Sequence, residues 1–271
     1  MTTATLHRPL RFRDLVRPFA PMAAPVPAQR KDQASLSQDE RGYFLLALNT
    51  LLRQGTYAQL VAIHSDMTHT MHNMGDGSPE AALGQQRFLP WHRVYLYQFE
   101  RQLQRALRDQ VPITVPYWNW ETAQEQSVPG WLEDVLPTVA IGAGTISVFR
   151  SPRTQADLAQ ILAGTADPTV PSLATVKKAT TYIDFATGLE GVHNLVHDWV
   201  GGTMDSLVTA STDPIFWMHH ANLDRLWWEW YQGPQGHGLD PQLSGVDAIM
   251  DPWRYDEPQT RDIANFNYSY V

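Results

Sequence analysis

Six of the ten histidines in this chain fall into two groups whose spacing suits metal binding. The second group is the tighter one. His193 and His197 stand at i and i+4, one turn apart on the same face of a helix, so both imidazoles can reach a single ion. A third nitrogen is available from the adjacent pair His219-His220, on a separate helix starting near Phe216. The first group is looser: His64, His69 and His72, followed by His92 in the string Arg87-Phe-Leu-Pro-Trp-His92-Arg93. Two tri-histidine sets in one small domain point to a dinuclear centre. Imidazole donors suit copper, zinc, iron and nickel, whereas magnesium, calcium and manganese favour carboxylates. There is no HExxH motif, and no cysteine to supply the thiolates of structural zinc or iron–sulfur sites. A dication pair held only by neutral nitrogens keeps its positive charge and needs a bridging anion from outside. Reduced dioxygen is such an anion. The residues alone leave copper, zinc and non-heme iron open.

These side chains need rigid carriers. Ser37-Gln-Asp-Glu40 is helix-starting chemistry ahead of an apolar run from Tyr43. A second helical pattern runs from Tyr57 to about His69, and Asn73–Pro79 then reads as a loop. Trp91 to about Asp109 is the best helix, with Val94, Tyr97, Leu103 and Leu107 on a shared face. Between 121 and 186 the pattern is weak. Thr154 and Asp157 suit the cap of a short helix, and Ser172 to Phe185 suits another. Helices around Leu189–Val200 and Ile215–Tyr231 carry the second histidine group. Residues 1–34, with Pro18, Pro21, Pro25 and Pro27, read as an irregular surface segment. The expectation is one mainly α domain over 1–271, in which a central four-helix bundle points histidines inward, with long surface loops.

Composition narrows the partners. A net charge of −8 argues against nucleic acid or an anionic membrane as the main partner. No run of apolar residues is long enough to span a bilayer, and the first residues lack the apolar core of a secretory signal. The absence of cysteine fits a reducing compartment, so the expected location is cytoplasmic.

The four strings Arg87–Arg93, Pro116-Tyr-Trp-Asn-Trp120, His193-Asn-x-x-His197 followed by Gly201-Gly202, and Asp213-Pro-x-Phe-Trp-x-His-His220-Ala-Asn-x-Asp-Arg225-Leu-Trp227 resemble the tyrosinase family. That family comprises the type-3 copper proteins: tyrosinases, catechol oxidases and molluscan haemocyanins. The resemblance runs from about His64 to Trp230 in the family's own motif order, and Tyr268-Ser-Tyr270 is similar to the Tyr-x-Tyr near the end of many catalytic domains. It implies two copper ions, O2 as cosubstrate, and ortho-hydroxylation of monophenols and/or oxidation of o-diphenols to o-quinones. A haemocyanin-like oxygen carrier and an o-aminophenol oxidase are the alternatives on the same site. The chain resembles short bacterial members, with no cysteine for the Cys–His thioether of some relatives and no C-terminal lid domain. A small phenol is the expected substrate, and any copper-delivery protein would be a separate chain.

The resemblance also assigns roles. It makes His193, His197 and His220 the ligands of the second copper, with His219 a buried neighbour, because the second of the adjacent pair ligates. His92 is the anchor of the first copper. Many members place another ligand nine residues before it, where this chain has Leu83. The remaining two must come from His64, His69 and His72. His64 and His72 are about 12 Å apart along an unbroken helix, so that helix must bend or end for both to serve. We favour His64 and His72, on the family's pattern of one ligand from a helix and one from its loop, with His69 as the alternative. Asn194 matches a family residue that helps hold a base-activated water, with Glu190 as its candidate carboxylate partner. A solvated carboxylate at a helix start is the plainer role for Glu190. Asp224 either orients a ligand imidazole or pairs with Arg93 or Arg225. Leu207 and Val208 are candidates for shaping the substrate entrance, Asn119 is read as structural, and His7 and His237 as uninvolved.

Overall fold

The computed structural model of the chain describes residues 28–122 and 127–271, so the prolines of the first segment and His7 lie outside the described residues. Strand β1 (Ala28–Arg30) comes first. Helix α1 (Gln38–Gln54) starts at a capping box in which Ser37 and Glu40 satisfy each other's backbone N–H groups, and it stops at Gly55. Helix α2 (Thr56–Ser65) follows directly. Helix α3 (Pro79–Ala106) is the longest element. After a hairpin of β2 (Thr138–Ile141) and β3 (Gly144–Ser147) come α4 (Gln155–Ala163), the short α5 (Leu173–Val176), α6 (Tyr182–Val200) and α7 (Pro214–Gln232). A short α8 (Glu257–Thr260) and strand β4 (Tyr268–Tyr270) complete the fold.

The mainly α architecture is as expected. Helix α3 is its axis, packing against α1, α6 and α7. Its apolar residues Phe88, Trp91, Val94, Tyr95 and Phe99 are all buried. Trp217 of α7 stacks on Phe99 with ring centroids 4.0 Å apart. Its indole N–H donates to the Tyr57 hydroxyl at 2.9 Å, which in turn donates to the Thr212 carbonyl. Trp217 and Tyr57 therefore bury apolar area without leaving their polar atoms unpaired.

Several elements differ from the sequence reading, among them α6, which begins at Tyr182 rather than near Leu189 and takes the end of the helix expected over Ser172–Phe185. Helix α3 begins at Pro79, twelve residues earlier than expected, because it runs through Pro90. A proline cannot donate to the carbonyl four residues back. The carbonyl so freed, that of Gln86, accepts the Tyr182 hydroxyl of α6 at 3.0 Å. Helix α2 stops at Ser65 rather than His69, since the Asp66 side chain accepts from the Thr68 N–H and turns the chain. The segment read as irregular is ordered at its end: Ala28–Arg30 pairs in parallel with Tyr268–Tyr270.

That pairing delivers Arg30 into the interior. Its guanidinium lies 3.6 Å from the Tyr268 ring centroid, 2.9 Å from Glu100 and 3.2 Å from Asp224. Asp224 also binds Arg93 at 2.5 Å and the hydroxyls of Tyr268 and Tyr270 at 2.5 Å each. Burial pushes the Asp224 carboxyl up, but Arg93 and Arg30 outweigh it and hold the group below its usual range. Among the described residues no helix is long and apolar enough to cross a membrane.

Candidate metal centre

Helices α2, α3, α6 and α7 converge on one point and bring six histidines together. His64, His72 and His92 have ligand atoms within 4.8 Å of one another, as do His193, His197 and His220. His64 lies at the end of α2 and His92 at mid-α3, while His72 comes from the loop between them. The early end of α2 makes this possible: the His64 and His72 Nε2 atoms are 3.3 Å apart. His193 and His197 project from one face of α6, and His220 from α7 meets His193 Nε2 to Nε2 at 3.1 Å. The triads face each other, with the His92 and His220 rings stacked at 4.4 Å.

Backbone carbonyls aim two of these rings. His92 Nδ1 donates to the Phe88 carbonyl at 2.7 Å, and His197 Nδ1 to that of Met204 at 2.8 Å. Each therefore turns a bare Nε2 inward, and both Nε2 atoms are buried with no hydrogen-bond partner. His193 Nδ1 is held by Asn194 Oδ1 at 2.9 Å. Burial, reinforced by neighbouring imidazoles, holds His64, His92, His193 and His220 well below the ordinary histidine range, and burial pulls His197 down to about 4. The inward, unpaired Nε2 atoms of His92 and His197 are the kind of imidazole donor that copper takes.

The other residues sort by position. His69 is in neither triad: it stacks on Trp91 and binds Asp251 at 2.5 Å. Leu83 lies inside α3, part-buried, and the loop histidine His72 reaches the first triad. His219 is buried, lies parallel to His193 at 5.1 Å and accepts from the Trp120 indole at 3.1 Å. Asp224 bonds no imidazole, so of its two expected roles the ion pair holds, with Arg93 and with Arg30. Arg225 instead binds Glu121, Glu229 and Asn222, and reaches Asn119 at 3.3 Å. His237 is exposed.

A cleft of about 230 Å³ opens over the triads, lined among others by Glu190, Asn194, Met204 and Leu207. Glu190 is buried rather than solvated. Its Oε1 accepts the Asn73 N–H at 2.9 Å and lies 3.4 Å from His72 Nδ1, while Oε2 has no hydrogen-bond partner. Val208, beside Leu207, is exposed and its carbonyl accepts the Ser65 hydroxyl. Gly202 explains the Gly-Gly pair. It has a φ of +64° and a Cβ there would meet the Phe149 carbonyl oxygen at 2.1 Å, so only glycine lets the chain turn back and present Met204 to His197.

Two supports escaped the sequence reading. Phe88 touches both triads, with centroids 4.9 Å from His92 and 5.0 Å from His193. It stands at i−4 from His92, the spacing that places a side chain one turn below a ligand. Asp198 and Asp205 meet at the cleft mouth, where burial and the Asp205 carboxylate raise Asp198 to about 6.

Comparison with known proteins agrees with this geometry. The chain matches the family model described as the common central domain of tyrosinase over residues 54–140 and 146–233. A tyrosinase of Streptomyces glaucescens is 32% identical over 266 residues, covering 84% of this chain and 93% of that protein. A tyrosinase of Streptomyces antibioticus is 32% identical over 269 residues, covering 84% and 94%. Among solved structures, a functional unit of octopus hemocyanin superposes with a TM-score of 0.66 at 22% identity, covering 89% of this chain and 67% of that one. Recombinant mushroom tyrosinase gives 0.60 at 23%, covering 90% and 61%. At such identities these two share the fold.

Proposed function

The chain belongs to the tyrosinase family and is a tyrosinase-type copper oxidoreductase, and we propose that its two triads hold two copper ions that use O2 to hydroxylate monophenols and oxidise o-diphenols to o-quinones. The carrying observation is the pair of three-histidine sets facing each other across one cleft. When bound, the copper pair supplies Lewis-acid and template chemistry toward dioxygen and the phenol. The protein aims His92 and His197 with backbone carbonyls and His193 with the Asn194 amide oxygen, and Phe88 packs against both triads as the floor between them. Leu207 offers an apolar wall to the phenol ring.

Hydroxylating a monophenol requires removal of its proton. A phenol with a pKa near 10 is ionised in only about one molecule per thousand at neutral pH. Glu190 and Asn194 are proposed to hold a water that takes this proton; the partnerless Glu190 Oε2 and the cleft-lining Asn194 amide support that role. A copper-delivery protein belongs to the same proposal, supported by the depth of the ligands, of which only His197 exceeds 4% exposure. We also propose that 1–271 forms a single domain.

The test is oxygen uptake by the copper-loaded protein across tyrosine, simple phenols and catechols. Sustained uptake with quinone formation is expected. Reversible oxygen binding without turnover would favour the carrier, and turnover of o-aminophenols alone the amine-directed oxidase.

A further inference from the structure

Beyond Glu190 and Asn194, the cleft is lined by two carboxylates, Asp198 and Asp205, that phenol oxidation does not itself require. Glu190, Asn194 and Asp198 stand at i, i+4 and i+8 on α6 and present one polar stripe along its wall. Asp205, from the turn after α6, brings a second carboxylate against Asp198. The lining thus holds three carboxylates and no lysine or arginine. Arg153, the cation that acts on Asp198, does not line the cleft. Deeper in, Glu190 is 3% exposed and its Oε2 has no hydrogen-bond partner. Two neighbouring carboxylates at the mouth, with the buried Glu190 carboxylate below, give the cleft lining negative charge and no lysine or arginine to balance it.

We propose that the mouth of this cleft selects phenols whose side chain ends in an ammonium group, with Asp198 and Asp205 as the recognition groups. Asp198 follows His197 directly, and Asp205 follows Met204, whose carbonyl holds that ring. A phenol whose hydroxyl faces the triads points its para substituent outward, toward these two residues. The proposal rests on the phenol-oxidase reading of the same site. A hollow beside the cleft, sharing Glu190 and Asn194 with it, carries Lys178 and Asp184, and is where an anionic tail would go if the proposal is wrong.

The test compares kcat/KM of the copper-loaded protein for tyramine, para-ethylphenol and para-hydroxyphenylpropionate, which present a cation, a neutral group and an anion on similar frames. Two carboxylates near one ammonium in a half-wet cleft give the cation an advantage of about tenfold or more over the anion at low salt. That ratio should shrink as the Debye length falls from about 10 Å at 0.1 M salt to about 3 Å at 1 M. In the variant carrying Asp198→Asn and Asp205→Asn, tyramine should lose and the propionate gain relative to para-ethylphenol, bringing the ratio within about threefold. Equal losses on all three phenols would reveal a structural role, and a wild-type preference for the anion would move the tail toward Lys178; either result overturns the proposal. If no phenol is oxidised, the function reading has failed, and calorimetry with phenethylammonium and phenylpropionate still decides the mouth. Tighter binding of the ammonium sustains it and equal binding refutes it.

Discussion

Gly84→Ala would separate the placing of one histidine from its chemistry. Gly84 lies on α3 about two turns before His92, and a Cβ there would meet the His72 carbonyl oxygen at 1.9 Å, its carbon at 2.4 Å and the Asn73 nitrogen at 3.0 Å. Close carbon–oxygen contacts between backbones run at about 3.3–3.6 Å, so the His72 segment must retreat by more than about 1 Å. Metal–ligand distances tolerate about 0.2 Å, and His72 would leave the first triad. Loss of a ligand's outer support typically costs about 10–100-fold in metal affinity, and we expect at least the lower end here. The fold should survive: overpacking costs about 1–3 kcal/mol, partly offset by about 1 kcal/mol of helix propensity gained on replacing glycine. A copper titration against a competing chelator should show one site weakened by at least tenfold and the other within about twofold of wild type. Gly42→Ala on α1, where a Cβ meets nothing within 4 Å, is the control. Two coppers bound at wild-type affinity in Gly84→Ala would refute the reasoning.

Three further outcomes are expected. His64→Ala and His72→Ala should each lose first-site copper while His69→Ala keeps most of it, because His69 bonds Asp251 rather than the triad; metal analysis showing His69→Ala as damaging as His92→Ala would contradict this. Asn194→Asp and Glu190→Gln each preserve an oxygen acceptor for His193 or for Asn73, so copper content should hold while the monophenol-to-diphenol rate ratio falls by about tenfold or more, within the usual worth of a positioned base; equal loss of both activities would reduce the pair to orienting ligands. The metal-free chain should weaken as pH falls from about 6.5 to 4, because His197 has its pKa lowered from 6.5 to about 4 and the unfolded state takes up the proton first. Above that window the contribution, about 3 kcal/mol for this one buried ring, is fully present; a urea midpoint unchanged between pH 7.5 and 5 would count against it.

The part of the site built on helical spacing was legible in the sequence. His193 and His197 announce a shared face, and the strings around His92 and His220 carry the family pattern. His72 was harder, since a loop residue has no periodicity and only the break at Asp66 brings it to His64. The start of α3 was hidden by Pro90, which reads as a breaker unless another side chain takes the stranded carbonyl. Ala28–Arg30 looked irregular because a three-residue strand has no pattern of its own and its partner is Tyr268–Tyr270, far along the chain. Asp224 stayed open between supporting a ligand and pairing with Arg93 or Arg225, because Arg30 could not be placed beside it from sequence. The β2–β3 hairpin fell in the weakly patterned stretch, where short exposed strands alternate too little to stand out.

The interruption at Pro90 sets the gauge of the centre. Tyr182 belongs to the helix bearing His193 and His197, and Gln86 to the helix bearing His92, so their hydrogen bond fastens one half-site to the other. Sliding these helices past each other by one turn, about 5.4 Å, would strand a carbonyl whose own helix cannot satisfy it, at a cost of about 1–3 kcal/mol if it stays buried. The span between the triads is therefore calibrated by a proline and a tyrosine that belong to neither triad. The register of the two halves is thus written into the scaffold, in one hydrogen bond between the helices that carry them.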